Sequence, residues 1–220
     1  MSSGVNTAHS GPAHHPAHHF KDGLAEFEAC KQGMWIFLVT EVLFFAGMFV
    51  AYAVLRVFYP EMMKDVHHLL DWKMGALNTV ILICSSLSMA LAVSAAQRGE
   101  NKKVISQLWL TLAFASGFLV VKFFEYAHKI HEKMLPGSLY GYEELKVAKA
   151  PLFFSVYFVM TGIHGVHVII GMVLMFWLMR KAARNEFNPQ YFTPVEMIGL
   201  YWHFVDLVWI YLFPLLYLVS

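Results

Sequence analysis

The sequence predicts an all-α membrane protein, a polytopic transmembrane bundle of five helices. Hydrophobic residues make up 58% of the 220 residues and charged residues 14%, whereas soluble domains carry about 25% charged residues. A spanning helix needs about 20 mostly apolar residues, and apolar runs of that length cannot be soluble strands. We expect spans at residues 33–58, 74–96, 104–127, 152–180 and 196–219.

The segment before the first span is polar. Residues 1–20 combine Ser, Gly, Ala and Pro with five histidines, and this composition predicts a disordered tail. A histidine-rich tract can bind metal, but this one offers no carboxylate or thiolate to fix a geometry, so we interpret it as solvated. Residues 21–32 are charged and predict an interfacial lead-in to a transmembrane domain at 33–220. No cleavable signal peptide pattern is present, so the first span is expected to act as its own insertion signal. The tail histidines are His9, His14, His15, His18 and His19.

Basic residues in the short connections predict the orientation. They crowd the turn between spans two and three, the connection between spans four and five, and the segment before span one, and these three segments should be cytoplasmic. The N-terminus is then cytoplasmic and the C-terminus periplasmic. The residues concerned are Arg98, Lys102, Lys103, Arg180, Lys181, Arg184, Lys21 and Lys31.

Net charge and cysteine content exclude several classes of partner. The formal net charge is +1, which argues against nucleic acid and against a field that steers a charged substrate. Cys30 and Cys84 are the two cysteines, too few for a thiolate metal cluster. We interpret both as structural and predict no metal site.

Glu41 is an ionisable residue deep in the first span. It lies ten residues past Lys31, which places it about 15 Å into the helix, near mid-membrane. Ionisable groups there cost at least about 2.5 kcal/mol and rarely lack a partner or a role. Two interpretations stay open: a proton relay or anchor for a lipid or partner, and a carboxylic acid hydrogen-bonded to a neighbouring helix.

Two pairs of polar residues repeat this pattern on the last two spans. His164 and His167 have i, i+3 spacing, as do His203 and Asp206, so each pair should share a helix face. A haem site needs ligands from facing helices at matched depth, and we instead expect hydrogen bonds between helices, to Glu41, Asp206 or a serine. Small residues beside the first pair allow a neighbouring helix to approach closely; they are Gly162, Gly165 and Gly171.

Glu125 lies near the outer end of the third span. Lys122 and His128 flank it at three-residue spacing, which predicts a local ion-pair row whose polar groups snorkel outward. No nucleophile–base pair, phosphate-binding glycine loop, zinc signature or quinone-pocket pattern is readable. The residues alone therefore predict a polytopic membrane subunit with buried carboxylates.

Five sequence blocks resemble the cytochrome c oxidase subunit III family, occur in family order and cover about residues 30–220. The last two blocks are highly specific. The blocks are GMWIFLVTEVLFFAGMFVAY (33–52), LNTVILICSSLSMALA (77–92), FEY (124–126), TGIHGVHVIIGM (161–172) and YWHFVDLVWIYLFPLLY (201–217).

The resemblance implies a non-catalytic subunit of a haem-copper terminal oxidase in the bacterial inner membrane. Such a chain binds no haem or copper, packs against the catalytic subunit I beside subunit II, holds phospholipid and supports proton uptake. The complex oxidises cytochrome c or quinol, reduces oxygen to water and pumps protons. Glu41 matches the family's carbodiimide-reactive carboxylate, and Glu41, His164 and Trp35 become candidates for lipid binding. The family's buried polar positions are matched by His164, His167, His203 and Asp206.

The chain departs from the long form of the family, which has seven helices. It resembles the short bacterial form, which lacks the first two of those helices. The lipid cleft of the long form is therefore expected here only if another chain supplies the two missing helices. An equivalent subunit of a quinol oxidase or nitric oxide reductase remains open, as does membership of a larger respiratory supercomplex. A different class, an independent ion carrier using Glu41 and Asp206, also remains.

Overall fold

The computed structural model describes residues 23–67, 70–132, 134 and 150–218. The tail predicted at 1–20 lies outside these residues. The regular structure of the described residues is helical, with one isolated β-bridge between Asn188 and Tyr191. The helices are α1 (Gly23–Phe58), α2 (Pro60–His67), α3 (Trp72–Gln97), α4 (Asn101–His131), α5 (Ala150–Ala183) and α6 (Thr193–Phe213), and a π-helical turn (Pro214–Leu218) follows α6.

Five of these helices are long and apolar enough to cross a membrane, and the five-helix all-α prediction is confirmed. They are α1, α3, α4, α5 and α6 with its terminal turn. Helix α1 runs without a break from Gly23, so residues 23–32 belong to the same helix as the first span. The eight-residue helix α2 was not predicted; its Met62, Met63 and Val66 are buried because it packs against α1 and α5.

Local chemistry explains where the spanning helices begin and end. The Asp71 side chain caps α3 by accepting a hydrogen bond from the backbone N–H of Lys73 at 2.9 Å. The turn to α4 contains Gly99 at φ 71°, a left-handed conformation that favours glycine. Pro214 ends α6 because it lacks an N–H, and the chain continues as the wider π-helical turn.

Close contacts between helices build the interior. Helices α3, α4, α5 and α6 pack together, and α1 packs against α5 and α6. Glycines permit the closest approaches: a Cβ on Gly171 would meet the Trp202 ring at 2.7 Å, and one on Gly199 would meet Val93 at 2.8 Å. Apolar side chains cover the outer surface, as the 67% exposure of Leu43 and 69% of Phe123 illustrate. That surface is suited to lipid.

Candidate functional site

Glu41 and His167 join α1 to α5. Nε2 of His167 lies 3.1 Å from Oε2 of Glu41, and the side chains are 14% and 19% exposed respectively. The two groups line a groove of about 350 Å³ that is otherwise largely apolar. The groove gives outside access to the carboxyl; its other lining residues are Met34, Phe37, Ile170, Leu174, Ile198 and Tyr201.

The hydrogen bonds around His167 indicate which of its ring nitrogens carries a hydrogen. Nδ1 of His167 lies 2.9 Å from the carbonyl oxygen of Ile163, and a carbonyl only accepts, so Nδ1 carries a hydrogen. Nε2 and the Glu41 oxygen then share one further proton. Removing it would set two lone pairs against each other. The hydrogen bond between the two side chains therefore needs a hydrogen on Nε2 or on the Glu41 oxygen.

Tyr201 and Phe45 fix the His167 ring. The Tyr201 hydroxyl donates to the backbone carbonyl of His167 at 3.0 Å, and the Tyr201 ring stacks on the imidazole at 6.5 Å between centroids. Phe45 meets the same ring edge-on at 5.2 Å. Sequence reasoning did not single out either aromatic residue, because both resemble ordinary packing positions.

His164 and His167 face different neighbours despite their i, i+3 spacing. His164 is fully buried between the rings of Phe118 at 5.5 Å and Trp209 at 5.3 Å. Neither of its nitrogens has a hydrogen-bond partner among the described residues. The hydrogen bond between helices that was expected of this pair is thus present at His167, whereas His164 forms none with a described residue.

His203 and Asp206 both lie beside Ser86 on α3. Nδ1 of His203 and the hydroxyl of Ser86 on α3 are hydrogen-bonded at 2.7 Å. Asp206 is 2% exposed, and within the described part of the chain neither of its carboxylate oxygens has a hydrogen-bond partner. The Ser86 hydroxyl lies beside Asp206 as well, and because a hydroxyl has one donor and two acceptor positions, it can accept from His203 and donate to Asp206.

Lys122 and Glu125 form the most heavily bonded polar cluster. Nζ of Lys122 lies 2.9 Å from Oε2 of Glu125 and also donates to the hydroxyls of Tyr157 at 3.2 Å and Tyr217 at 3.0 Å. Oε1 of Glu125 accepts from Tyr157 at 2.6 Å and from Tyr217 at 2.5 Å. The ring of Trp209 lies 5.0 Å from the ammonium, close enough for a cation–π contact.

This geometry corrects the predicted outward ion-pair row. Lys122 and Glu125 are 7% and 4% exposed and point inward. They can do so because the hydroxyls of Tyr157 on α5 and Tyr217 after α6 form the hydrogen bonds that water would form at the surface. His128 instead faces outward and pairs with Glu132 at 3.2 Å. The sequence pattern on α4 could not reveal the hydroxyls on α5 and on the turn after α6, which accept from Lys122 and donate to Glu125.

The described residues contain no group of three or more His, Cys, Asp or Glu that could hold a metal ion. The five tail histidines lie outside the described residues. Cys30 and Cys84 are both free and exposed.

The fold and these clusters define a multi-pass membrane protein with several ionisable groups buried between its helices. The chain belongs to the cytochrome c oxidase subunit III family, whose model matches residues 17–220. It is 32% identical over 188 residues to the probable cytochrome c oxidase subunit 3 of Nocardia farcinica, an alignment that covers 85% of this chain and 86% of the relative.

Other relatives come from two kinds of oxidase. Cytochrome c oxidase subunit 3 of Synechocystis is 32% identical over 222 residues, which cover 100% of this chain and 85% of the relative. Cytochrome bo(3) ubiquinol oxidase subunit 3 of Pseudomonas putida is 29% identical over 188 residues, which cover 86% of this chain and 84% of the relative. Similarity therefore extends to subunits of both cytochrome c and quinol oxidases.

Proposed function

We propose that this chain is the non-catalytic subunit III of a respiratory haem-copper terminal oxidase in the bacterial inner membrane. Haem and copper are held by subunits I and II, and this chain carries no redox centre of its own. The family match over residues 17–220 is the observation that carries the proposal. The N-terminus is cytoplasmic and the C-terminus periplasmic, as the basic residues in short connections indicate.

Its role is to stabilise subunit I, retain phospholipid and support proton uptake. The groove beside Glu41 and His167 supports the lipid part of this proposal, since it is apolar, open to the outside and floored by a protonatable pair. A second groove of about 190 Å³ lies farther along the same pair of helices, α1 and α5, where Met48 and Val156 line it. Trp35 is 54% exposed on α1 and is suited to a lipid contact. His164 is fully buried, so we place it in the polar interior rather than in the lipid site.

The first test is purification of the chain from native membranes in mild detergent, with an optical spectrum and identification of the co-purifying chains. Haem bands together with a catalytic subunit and a copper-bearing subunit are expected. A colourless preparation without partner chains, when the same detergent keeps another membrane complex intact, would overturn the proposal and support an independent ion carrier.

The second test concerns Glu41. A hydrophobic carbodiimide reacts with a protonated carboxyl that it can reach through an apolar path, and the groove supplies that path. Glu41→Gln should abolish labelling while its amide still donates to Nε2 of His167, so the contact between α1 and α5 persists. Glu196→Gln is the matched control, because Glu196 is also partly buried, with 19% side-chain exposure, and pairs with Lys31. Labelling that survives Glu41→Gln would remove Glu41 from the site.

The lipid role is tested by delipidating the purified complex. We expect faster loss of activity during turnover and recovery when phospholipid is returned. Full activity and lifetime in the delipidated enzyme would exclude a functional lipid.

A quinol oxidase partner is the second candidate, favoured by the similarity to ubiquinol oxidase subunit 3 of Pseudomonas putida. The same purification distinguishes a cytochrome c oxidase from a quinol oxidase. Haem bands without a copper-bearing subunit, together with turnover on quinol, would identify quinol as the electron donor in place of cytochrome c. A nitric oxide reductase partner would appear as nitric oxide consumption by the same preparation. The chains that co-purify would also reveal a larger supercomplex.

A further inference from the structure

His203 presents part of its imidazole ring to the outside of the bundle. Its Nδ1 and the Ser86 hydroxyl are hydrogen-bonded at 2.7 Å, yet both residues are partly exposed rather than buried. The pair therefore lies where α3 and α6 meet at the outer surface. Because Nδ1 is held against α3, Nε2 is the ring nitrogen that is left for a contact outside the chain.

The pair lies near the middle of the membrane-spanning segments. His203 is ten residues past Thr193, the first residue of α6, which corresponds to about 15 Å along the helix. Ser86 lies close to the midpoint of α3 (Trp72–Gln97). The hydrocarbon core of a bilayer is about 30 Å thick, so both side chains are far from the water on either side.

A polar group at this depth is unfavourable against lipid. Ionisable side chains inside spans almost always face the interior of a helix bundle or a water-filled cavity, and hydrocarbon offers Nε2 no hydrogen bond. The exposed residues one helical turn away are apolar: Leu207 on α6 is 50% exposed and Ile83 on α3 is 52% exposed. The imidazole therefore indicates that another protein segment covers this part of the surface.

The hydrogen bonds behind His203 define the chemistry of that segment. The Ser86 hydroxyl lies beside both His203 and Asp206, and it can donate to either side chain and accept from the other. Nε2 of a neutral imidazole is then an acceptor in one arrangement and a donor in the other. A hydroxyl or a side-chain amide fits Nε2 in both arrangements, because each of these groups donates and accepts.

We propose that this surface contacts a transmembrane helix of the catalytic subunit, and that a hydroxyl or amide of that helix is hydrogen-bonded to Nε2 of His203. The identity of the partner rests on the proposed function. A second copy of this chain fits less well, because the Ser86 hydroxyl is already engaged and the neighbouring exposed side chains carry no polar group. The His203 surface comprises Ile83, Ser86, Ala90, His203 and Leu207.

Site-directed photo-crosslinking in native membranes tests which molecule covers the His203 surface. A benzophenone amino acid at Leu207 lies about one helical turn from His203 and should form a product with the haem-bearing subunit. Val166 is the matched control position, because it is similarly exposed at 53% near the middle of α5 and lines the groove between α4 and α5 instead. Equal yields from the two positions, a product with a second copy of this chain, or crosslinks from Leu207 to lipid alone would overturn the proposal.

Three variants test the hydrogen bond itself. His203→Leu removes both ring nitrogens and should release the chain from the complex at a detergent concentration several-fold below that needed for wild type. His203→Gln keeps a donor and an acceptor and should restore most of the retention. Ser86→Ala is the matched control, since it breaks the bond between α3 and α6 but leaves Nε2 in place, and it should release the chain clearly less readily than His203→Leu. If Ser86→Ala and His203→Leu release it equally, the effect arises inside the chain and the proposal fails.

The wild-type preparation separates this proposal from the proposed function. Co-purification of haem-bearing chains without a crosslink from Leu207 would keep the subunit role and reject the His203 surface. A preparation without haem-bearing chains, in a detergent that keeps another membrane complex intact, would reject both.

Discussion

The ammonium nitrogen of Lys122 lies 2.9 Å from Oε2 of Glu125, and both side chains are buried inside the membrane-spanning bundle. Tyr157 and Tyr217 complete the hydrogen bonds of both ions. Because these tyrosines come from α5 and from the turn after α6, the ion pair on α4 fixes the relative positions of three segments. The sequence of α4 alone suggested a row of charges at the surface.

Breaking this ion pair from one side should destabilise the chain strongly. Lys122→Met leaves Glu125 as an uncompensated buried charge, and we expect a loss of about 3–5 kcal/mol. The double change Lys122→Met with Glu125→Gln should cost clearly less than the sum of the two single changes, because it leaves no lone charge. The measurement is the unfolding of the chain within the purified complex, followed by protease sensitivity on heating. Additive losses would show that the two residues do not act as a pair.

Removing the Tyr217 hydroxyl should also weaken the cluster. Tyr217→Phe deletes a donor to Glu125 and an acceptor for Lys122, and hydrogen bonds to charged groups contribute about 1.5–3 kcal/mol. Tyr211→Phe is the control on the same segment, because Tyr211 is 62% exposed. Heating experiments on the complex should show a lower unfolding temperature for Tyr217→Phe and little change for Tyr211→Phe. Equal effects would point to a general sensitivity of this end of the chain.

Two glycines on α5 should respond in different ways to the same substitution. A methyl group at Gly171 would lie 2.7 Å from the buried ring of Trp202, and we expect Gly171→Ala to cost about 1–3 kcal/mol through overpacking. At Gly165 nothing lies within 4 Å of the added carbon, so Gly165→Ala should change stability by no more than about 1 kcal/mol. Thermal unfolding of the two variants compares them directly. A harmless Gly171→Ala would mean that α5 and α6 are less closely packed than the structure shows.

The turn between α3 and α4 contains an exposed, pH-dependent contact. Lys103 donates to Glu100 at 3.2 Å and Arg98 does so at 3.3 Å. The hydrogen bond from Lys103, followed by that from Arg98, lowers the pKa of the Glu100 carboxyl below its ordinary 4.5. Since the folded pKa is the lower one, the contribution to stability is complete above the unfolded pKa and is lost as the pH falls through the folded pKa.

Glu100→Gln should therefore lower the unfolding temperature slightly at neutral pH. The difference from wild type should shrink as the pH falls through the folded pKa of the Glu100 carboxyl. About 1 M salt should shrink it as well, because the charges are exposed and screened. Differential scanning calorimetry of the complex at several pH values tests both. A difference that grows on acidification would reverse the sign and remove this explanation.

Much of the architecture could be predicted because a long apolar run crosses lipid as a helix, in which the backbone groups are hydrogen-bonded to one another. The five spans follow from length and composition. Helix α2 escaped prediction because eight residues with mixed polarity carry no signal until α1 and α5 are placed against them.

The sequence by itself determined which side chains require partners, because an ionisable group inside an apolar run must be paired. Depth in an apolar run singled out Glu41, and i, i+3 spacing singled out His167. Only the tertiary structure decided the partners. It paired Glu41 with His167 at a separation of 126 positions, turned Lys122 inward toward Tyr217, and left His164 without a hydrogen bond to any described residue. Those outcomes depend on the rotation and depth of each helix against its neighbours, which packing fixes and local spacing does not.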